Sequence, residues 1–442
     1  MKTLLARVVF SRGILSHIVM ILKNSVLLAI FSIASVLLGI VRDRLLATHV
    51  GVGHVLDIYN AAFRIPDLLY SLSLSFVTAA TVIPFLTIEN KSGHVLDPRH
   101  KLSSISLFFG GAISLVGGIL FFTLPLYARY IVPGFTEEQL VTFISVSRIM
   151  LIQPLLLGLT SLISCFAQMK NHFVLYGIAP LGYSLGVISG IIFFYPSYGA
   201  HGLIYGVIVG AFASFCIQLL SLRHMKMLEV LPYFSWKHVR EIFVLGIPRT
   251  GVNVLTQVRI IFFTGFATTL GPGILSSYLF AQRITEAASQ VVQQSVTTAS
   301  LPVLSKEFIE NKIHEYKQTV RLYVGALGLI GVIISLAIYG TQDIIVWVLY
   351  DSTPFESMIR FFLVGFLIIF PFQMMTGYFS ISLYSIKDTK SVFYSNLVAS
   401  LIAVIVCYST QEQGVISLVY GVVAMSIINF LLIFTLYSRK RL

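Results

Sequence analysis

Residues 102–128 read LSSISLFFGGAISLVGGILFFTLPLYA, twenty-seven positions without a single Asp, Glu, Lys or Arg. About 20 apolar residues in an α-helix cross the ~30 Å hydrocarbon core of a bilayer, so this run is a membrane-spanning helix. Runs of the same kind recur at 149–169, 173–200, 260–282, 322–342, 361–386 and 414–438. Hydrophobic residues make up 57% of the 442, and charged residues 11%. A soluble domain carries about 25% charged residues. The composition excludes a soluble enzyme and specifies an all-α polytopic membrane protein. Cys165, Cys216 and Cys407 each lie in an apolar run without paired spacing, so neither a disulfide nor a metal site is expected.

Dividing the apolar runs at charged or Pro/Gly turns predicts about twelve spans, at 25–47, 57–87, 102–130, 139–169, 173–195, 202–222, 240–269, 274–304, 320–348, 357–386, 391–409 and 414–437. Alternate loops differ sharply in charge. The two termini and the loops near 88–101, 170, 223–240, 306–321 and 387–390 collect 21 of the 30 Lys and Arg, while the opposite loops hold only Arg129 and Arg360. Basic residues stay on the cytoplasmic side, so both termini are expected there. The net charge of +12 is thus spread over one membrane face, where anionic lipid headgroups are the partner and nucleic acid is not. The expected organisation is a cytoplasmic, uncleaved arm over 1–24, a six-helix lobe over 25–222, a cytoplasmic linker over 223–239, a second six-helix lobe over 240–437 and a tail over 438–442.

Seven basic residues remain in or at the rims of spans, and all are arginines: Arg42, Arg44, Arg64, Arg148, Arg249, Arg259 and Arg283. A guanidinium does not shed its proton, so each must face water, pair with an anion or sit near a headgroup. Arg44 and Arg148 are explained by snorkelling or a helix end; the others together argue for a hydrated anion-binding cavity. An internal repeat supports this. RIPDLLYSLSLSFVTAA in span two and RITEAASQVVQQSVTTA in span eight align Arg64 with Arg283 and Asp67 with Glu286, and a Val-Thr pair follows each arginine at +13, then Pro84 and Pro302. The halves therefore share one orientation, as in transporters whose lobes rock about a central cavity. At i, i+3 spacing each Arg and its carboxylate share a face and can neutralise one another. Arg42 and Asp43 are adjacent, point about 100° apart and do not cancel on one face; Arg42 is expected to offer its fork to a phosphate while Asp43 orients another arginine or binds sugar hydroxyls. Pro66, Pro84, Pro154, Pro180, Pro248 and Pro371 fall within spans and permit kinks.

The segment LLGIVRDRLLATHVGVGHVLDIYNAAFRIPDLLYSL resembles the opening of the MurJ/MviN family, the lipid II flippases of the multidrug/oligosaccharidyl-lipid/polysaccharide exporter superfamily. Gly39, Arg42, Asp43, Ala47, Gly51, Gly53, Asp57, Ala62, Phe63, Pro66 and Leu69 stand where the family pattern expects them. Similar stretches follow in order: YGIAPLGYSLGVISG, GIPRTGVNVLTQV, FAQRITEA, LPVLSKEF and SLYSIKDTKSVFYSN. The resemblance implies a MATE/MOP-like fold, two lobes about a central cavity, in a bacterial inner (plasma) membrane. It also implies transfer of an undecaprenyl-pyrophosphate-linked peptidoglycan precursor to the outer leaflet by alternating access, with no cofactor and no catalytic residue, and with other cell-wall synthesis proteins as candidate partners. Carried over by position, Arg42, Asp43 and Arg283 hold the pyrophosphate and sugar headgroup. Arg64, Arg249, Arg259 and Glu286 complete the expected substrate site, and Asp57, Asp67, Gly51, Gly53 and Pro66 are structural or gating positions.

The sequence also departs from the family. Val36 replaces an arginine, Tyr70 and Ser71 replace basic residues, and Ser75, Phe76 and Val77 replace an acidic-Gly-Ala stretch, so Arg64, Arg249 and Arg259 have to compensate. Many members have fourteen spans, the last two helping to form a groove for the lipid tail; twelve are expected here. Spans seven and eleven offer only Glu241 as a carboxylate, so no sodium site is expected. Alternative functions are flipping of another polyprenyl-pyrophosphate-linked glycan and a non-transporting cell-wall scaffold. A drug exporter is disfavoured by the arginine-rich cavity, and a membrane-embedded enzyme by the short loops, whose one acidic pair, Glu137-Glu138, is explained by a turn or helix start.

Overall fold

The structure, a computed structural model, describes residues 27, 28, 30–78, 98–169, 172–225, 234–350 and 355–440; within its helices the side chains of 73–78, 98–102, 168–169, 237–239, 241–250, 291, 294, 295, 297–299 and 302 are not described. The arm at 1–24, Pro84, most of the 88–101 loop, Lys170 and the centre of the 223–239 linker lie outside these residues. So do the side chains of Glu241, Arg249, Val77, Thr78, Thr297 and Pro302.

The described chain is helical, without strands. Helix α1 covers 30–45 and runs into a π-helical turn, Leu46–Val50. Then come α2 (His54–Ala62), α3 (Arg64–Thr78), α4 (Pro98–Ile131), α5 (Glu137–Met150), α6 (Ile152–Met169), α7 (Phe173–Ser189) and α8 (Ala200–His224). The second half holds α9 (Trp236–Thr269), α10 (Ile274–Ile309), α11 (Ile313–Tyr350), α12 (Glu356–Ser385), α13 (Thr389–Ser409) and α14 (Val415–Arg439).

Prolines explain where expected single spans are split. Pro66 has no N–H for the Ala62 carbonyl and its ring crowds that oxygen, so the chain breaks at Phe63 between α2 and α3. Pro154 acts in the same way on the Met150 carbonyl, and the break falls at Leu151 between α5 and α6. At the start of α5, Thr136 and Gln139 form a reciprocal capping box and the two glutamates occupy the first turn, favourably placed at the positive end of the helix dipole.

Among the described residues, eight helical segments are long and apolar enough to cross a membrane, including Ser103–Ile131, Ala200–His224, Ile313–Tyr350 and Val415–Arg439. Expected spans one, two, seven and eight are not among the eight. These are the segments that carry Arg42, Asp57, Arg64, Asp67, Arg259, Arg283 and Glu286, and their polar residues dilute the apolar signal.

Within the first half, α7 lies along α8 and α6 packs on both α3 and α8; within the second, α12 is the hub for α10, α11 and α14, and α13 packs on α14. Glycines allow α7 and α8 to touch backbone to backbone. A Cβ on Gly206 would sit 2.3 Å from Gly190 Cα, and one on Gly186 would sit 2.1 Å from Gly210 Cα. Close approach of this kind is how membrane helices gain packing energy when burial from water cannot drive them together. The halves meet through α9 against α3 and α4, and through α2 against α10.

Candidate functional site

Polar and charged residues of α1, α2, α3 and α10 converge between the two halves on a cavity of about 250 Å³, lined by Arg42, Asn60, Arg64 and Asp67 from the first half and Gln282, Arg283 and Glu286 from the second. Tyr59, Phe63, Tyr183, Ile260 and Leu279 complete the wall. Asp43 is the organising carboxylate. Its Oδ1 accepts from Arg283 Nη1 at 2.8 Å and from Arg42 Nε at 3.0 Å, with Arg42 Nη2 at 2.9 Å. One oxygen thus holds two guanidinium groups, one from each half.

Three pairings differ from the expected ones. Arg42 and Asp43 do pair although adjacent, the arginine being long enough to reach its neighbour. Arg283 does not turn to Glu286: it donates to Asp43 and, from Nη2, to Asn60 Oδ1 at 3.3 Å, while Glu286 accepts from Gln282 Nε2 at 2.7 Å. No Arg64–Asp67 ion pair is present among the described residues, and the buried Nε of Arg64 has no hydrogen-bond partner. Arg259 is half-buried on α9 outside the cavity lining, and the Arg249 position is helical with its side chain undescribed.

Asp57 is 2% exposed and sits at the start of α10 rather than in the cavity. Its Oδ1 accepts from Ser276 N–H at 2.9 Å and from Ser276 Oγ at 2.6 Å, and its Oδ2 accepts from Gly273 N–H at 2.5 Å. A carboxylate from the first half therefore caps the first turn of a helix in the second. Gly273 takes φ +78, a left-handed conformation that suits glycine, and has no space for a side chain against Phe355 and Val52. Gly51, at φ +78, ends the π-helical turn; Gly53 is extended, and its carbonyl accepts the Asp57 N–H at 2.9 Å.

Further contacts join the halves away from the cavity lining. At the Asp57 end, Gly134 N–H donates to Thr268 Oγ1 at 3.3 Å. At the other end, which carries the basic loops, Ser235 N–H donates to the buried Ser104 Oγ at 3.2 Å, and Trp236 meets Phe108 edge to face at 6.0 Å between centroids. Sequence reading found the charged residues here but not Asn60, Ser276 or Gln282. Their signal is the same as for the arginines, a hydrogen-bonding side chain in an apolar span, but weaker because a neutral group is cheaper to bury.

Comparison with known proteins agrees with this architecture. The profile of the family described as lipid II flippase MurJ matches residues 46–442. The lipid II flippase MurJ of Burkholderia cenocepacia is 27% identical over 297 residues, 65% of this chain. The chain spans 57% of that relative's length and 59% of that of a probable lipid II flippase MurJ from Buchnera aphidicola. Among solved structures, a lipid II flippase MurJ in an inward closed conformation superposes with TM-score 0.78 at 20% identity, covering 93% of this chain and 87% of that one. An inward-facing MATE family multidrug transporter of the MOP superfamily gives TM-score 0.71 at 16% identity over 91% of this chain and 94% of its own. The fold is that of the MOP superfamily, and the chain is a multi-pass membrane protein that belongs to the MurJ family.

Proposed function

We propose that this protein is a flippase that carries a lipid-linked peptidoglycan precursor, lipid II, from the inner to the outer leaflet of the bacterial inner membrane by alternating access. The observation that carries the reading is the convergence of Arg42, Arg64 and Arg283, from both halves, on one cavity. A pyrophosphate leaving water needs more than one cation, and planar guanidinium groups hold phosphate oxygens two at a time. At about 250 Å³ the cavity lies below the ~300–1,000 Å³ of ordinary ligand pockets, so on this reading it widens before a glycan headgroup enters.

On this reading the six-helix halves, 25–222 and 240–437, rock about the cavity, and both termini face the cytoplasm. Asp43 clamps Arg42 and Arg283 together, so an incoming pyrophosphate meets two cations already in place. Arg64, with a donor unused, is the third contact. Arg249 and Arg259 serve an earlier or later stage of passage, Asp67 and Glu286 accept from sugar hydroxyls, and the lipid tail stays among the membrane lipids. Other cell-wall synthesis proteins supply and remove the substrate.

The test is complementation of a strain depleted of its lipid II flippase. The wild-type chain is expected to restore growth and Arg283→Ala to fail at equal membrane insertion. Rescue by Arg283→Ala would overturn the arginine-cavity reading, and failure of the well-inserted wild type would overturn lipid II as the substrate.

A further inference from the structure

Asn60 is 1% exposed, near the end of α2, and its amide is used on both sides. Oδ1 accepts from Arg283 Nη2 at 3.3 Å, and Nδ2 donates to Ser276 Oγ at 3.1 Å. The Ser276 hydroxyl, which has a single proton, passes it on to Asp57 Oδ1 at 2.6 Å. Every bond in this chain points the same way, from the Arg283 guanidinium through an amide and a hydroxyl to the Asp57 carboxylate. A row of hydrogen bonds with a cation at its donor end and an anion at its acceptor end polarises along its length, so each bond strengthens the next. The row also crosses between the halves at every step: Arg283 and Ser276 belong to α10, Asn60 and Asp57 to α2.

We propose that Asn60 is a positioning residue that transmits occupancy of the arginine site to the Asp57 closure. The inference rests on the reading of Arg283 as a pyrophosphate contact. When an anion draws the Arg283 guanidinium toward itself, Asn60 loses the cation at its acceptor side, the Ser276–Asp57 bond weakens, and the cap on α10 that closes this end of the protein is released. Leaving through the Asp57 end thus becomes conditional on a loaded site. By linkage, opening at Asp57 and anion binding at Arg283 favour each other by the same factor.

The inference is tested with the full chain in nanodiscs, its native cysteines replaced by serine, and spin labels on Glu138→Cys, in the first turn of α5, and Glu412→Cys, between α13 and α14, exposed positions one in each half. The interspin distance is measured with and without inorganic pyrophosphate, whose binding is followed separately by calorimetry. In the wild type, pyrophosphate is expected to raise the open-to-closed ratio at least about fivefold, the lower end of ordinary coupling between sites. Asn60→Leu, similar in volume but unable to hydrogen-bond, is expected to hold the shift below about twofold at saturating pyrophosphate, whatever its own effect on binding. Ser276→Ala breaks the row one bond further on and is expected to uncouple in the same way, a result that loss of packing at position 60 does not produce; it also carries the test if Asn60→Leu does not fold. A wild-type-sized shift in either variant, or no shift in the wild type that binds pyrophosphate, overturns the relay alone. Absence of pyrophosphate binding to the wild type overturns the proposed function and the relay with it.

Discussion

Replacing Asp57 by alanine removes three bonds that fasten α2 to the start of α10: those from Gly273 N–H, Ser276 N–H and Ser276 Oγ. Loss of a helix N-cap costs about 0.5–2 kcal/mol, and loss of a further hydrogen bond to a charged group about 1.5–3 kcal/mol. The Asp57 end admits water once it opens, which recovers part of this, so a net loss of about 3 kcal/mol is expected, roughly a 150-fold shift toward opening. An end closed about 99% of the time in the wild type would then be open about 60% of the time. The readout is modification of Leu279→Cys, a cavity-wall position, by a membrane-impermeant maleimide added from outside, with the three native cysteines replaced by serine. Where opening is rapid, labelling tracks the open population, so Asp57→Ala is expected to react roughly 60-fold faster. Asp57→Asn, which keeps one acceptor oxygen and loses the charge, is expected to fall between. Unchanged labelling in well-inserted Asp57→Ala protein would refute the assignment of Asp57 as a closure.

Arg148 donates from Nε to the Phe121 carbonyl at 2.9 Å, the oxygen that Pro125 deprives of its helical donor. Arg148→Met is expected to lower thermal stability by about 1–3 kcal/mol, and in a Pro125→Ala background by much less, as a double-mutant cycle would show. Gly206→Ala places a methyl group 2.3 Å from Gly190 Cα and is expected to cost about 1–3 kcal/mol, read as a lower melting temperature in detergent; Gly39→Ala, with open space around it, is the neutral control. Asp388, in the loop before α13, caps that helix through Ser391 N–H at 3.1 Å and pairs with Lys440. Partial burial works against ionisation of Asp388, but the Lys440 and Ser391 hydrogen bonds outweigh it and hold the carboxyl below the usual carboxylate range. The contribution is therefore complete above pH 3.8 and lost as pH falls through the lowered value, so the stability difference between wild type and Asp388→Asn is expected to be flat from pH 5 to 8 and to shrink in stronger acid.

The fold was legible because a bilayer imposes a simple rule, long apolar helices with basic loops on one side. The same rule hides the functional helices. Arg42, Arg64 and Arg283 stood out because a permanent charge in an apolar run demands a partner. Which partner was not readable: sequence spacing pairs Arg283 with Glu286, three residues away, but Asp43, 240 positions distant, takes the guanidinium because the halves meet there. Asp57 was readable as an important acidic position but not as the cap of α10, since a cap contributed from another helix leaves no local pattern. The breaks at Phe63 and Leu151 were readable in kind from Pro66 and Pro154. Pro125 passed unnoticed in the run at 102–128, and with it the reason for Arg148.

The most direct test of the account is transport in reconstituted vesicles. Fluorescent lipid II would be supplied in the leaflet facing the basic loops, and its headgroup's arrival in the opposite leaflet followed with an impermeant reagent. The wild-type protein is expected to move the headgroup across, and Arg42→Ala and Arg283→Ala to leave it where it began. Equal rates in the wild type and both variants would contradict the claim that these arginines carry the pyrophosphate.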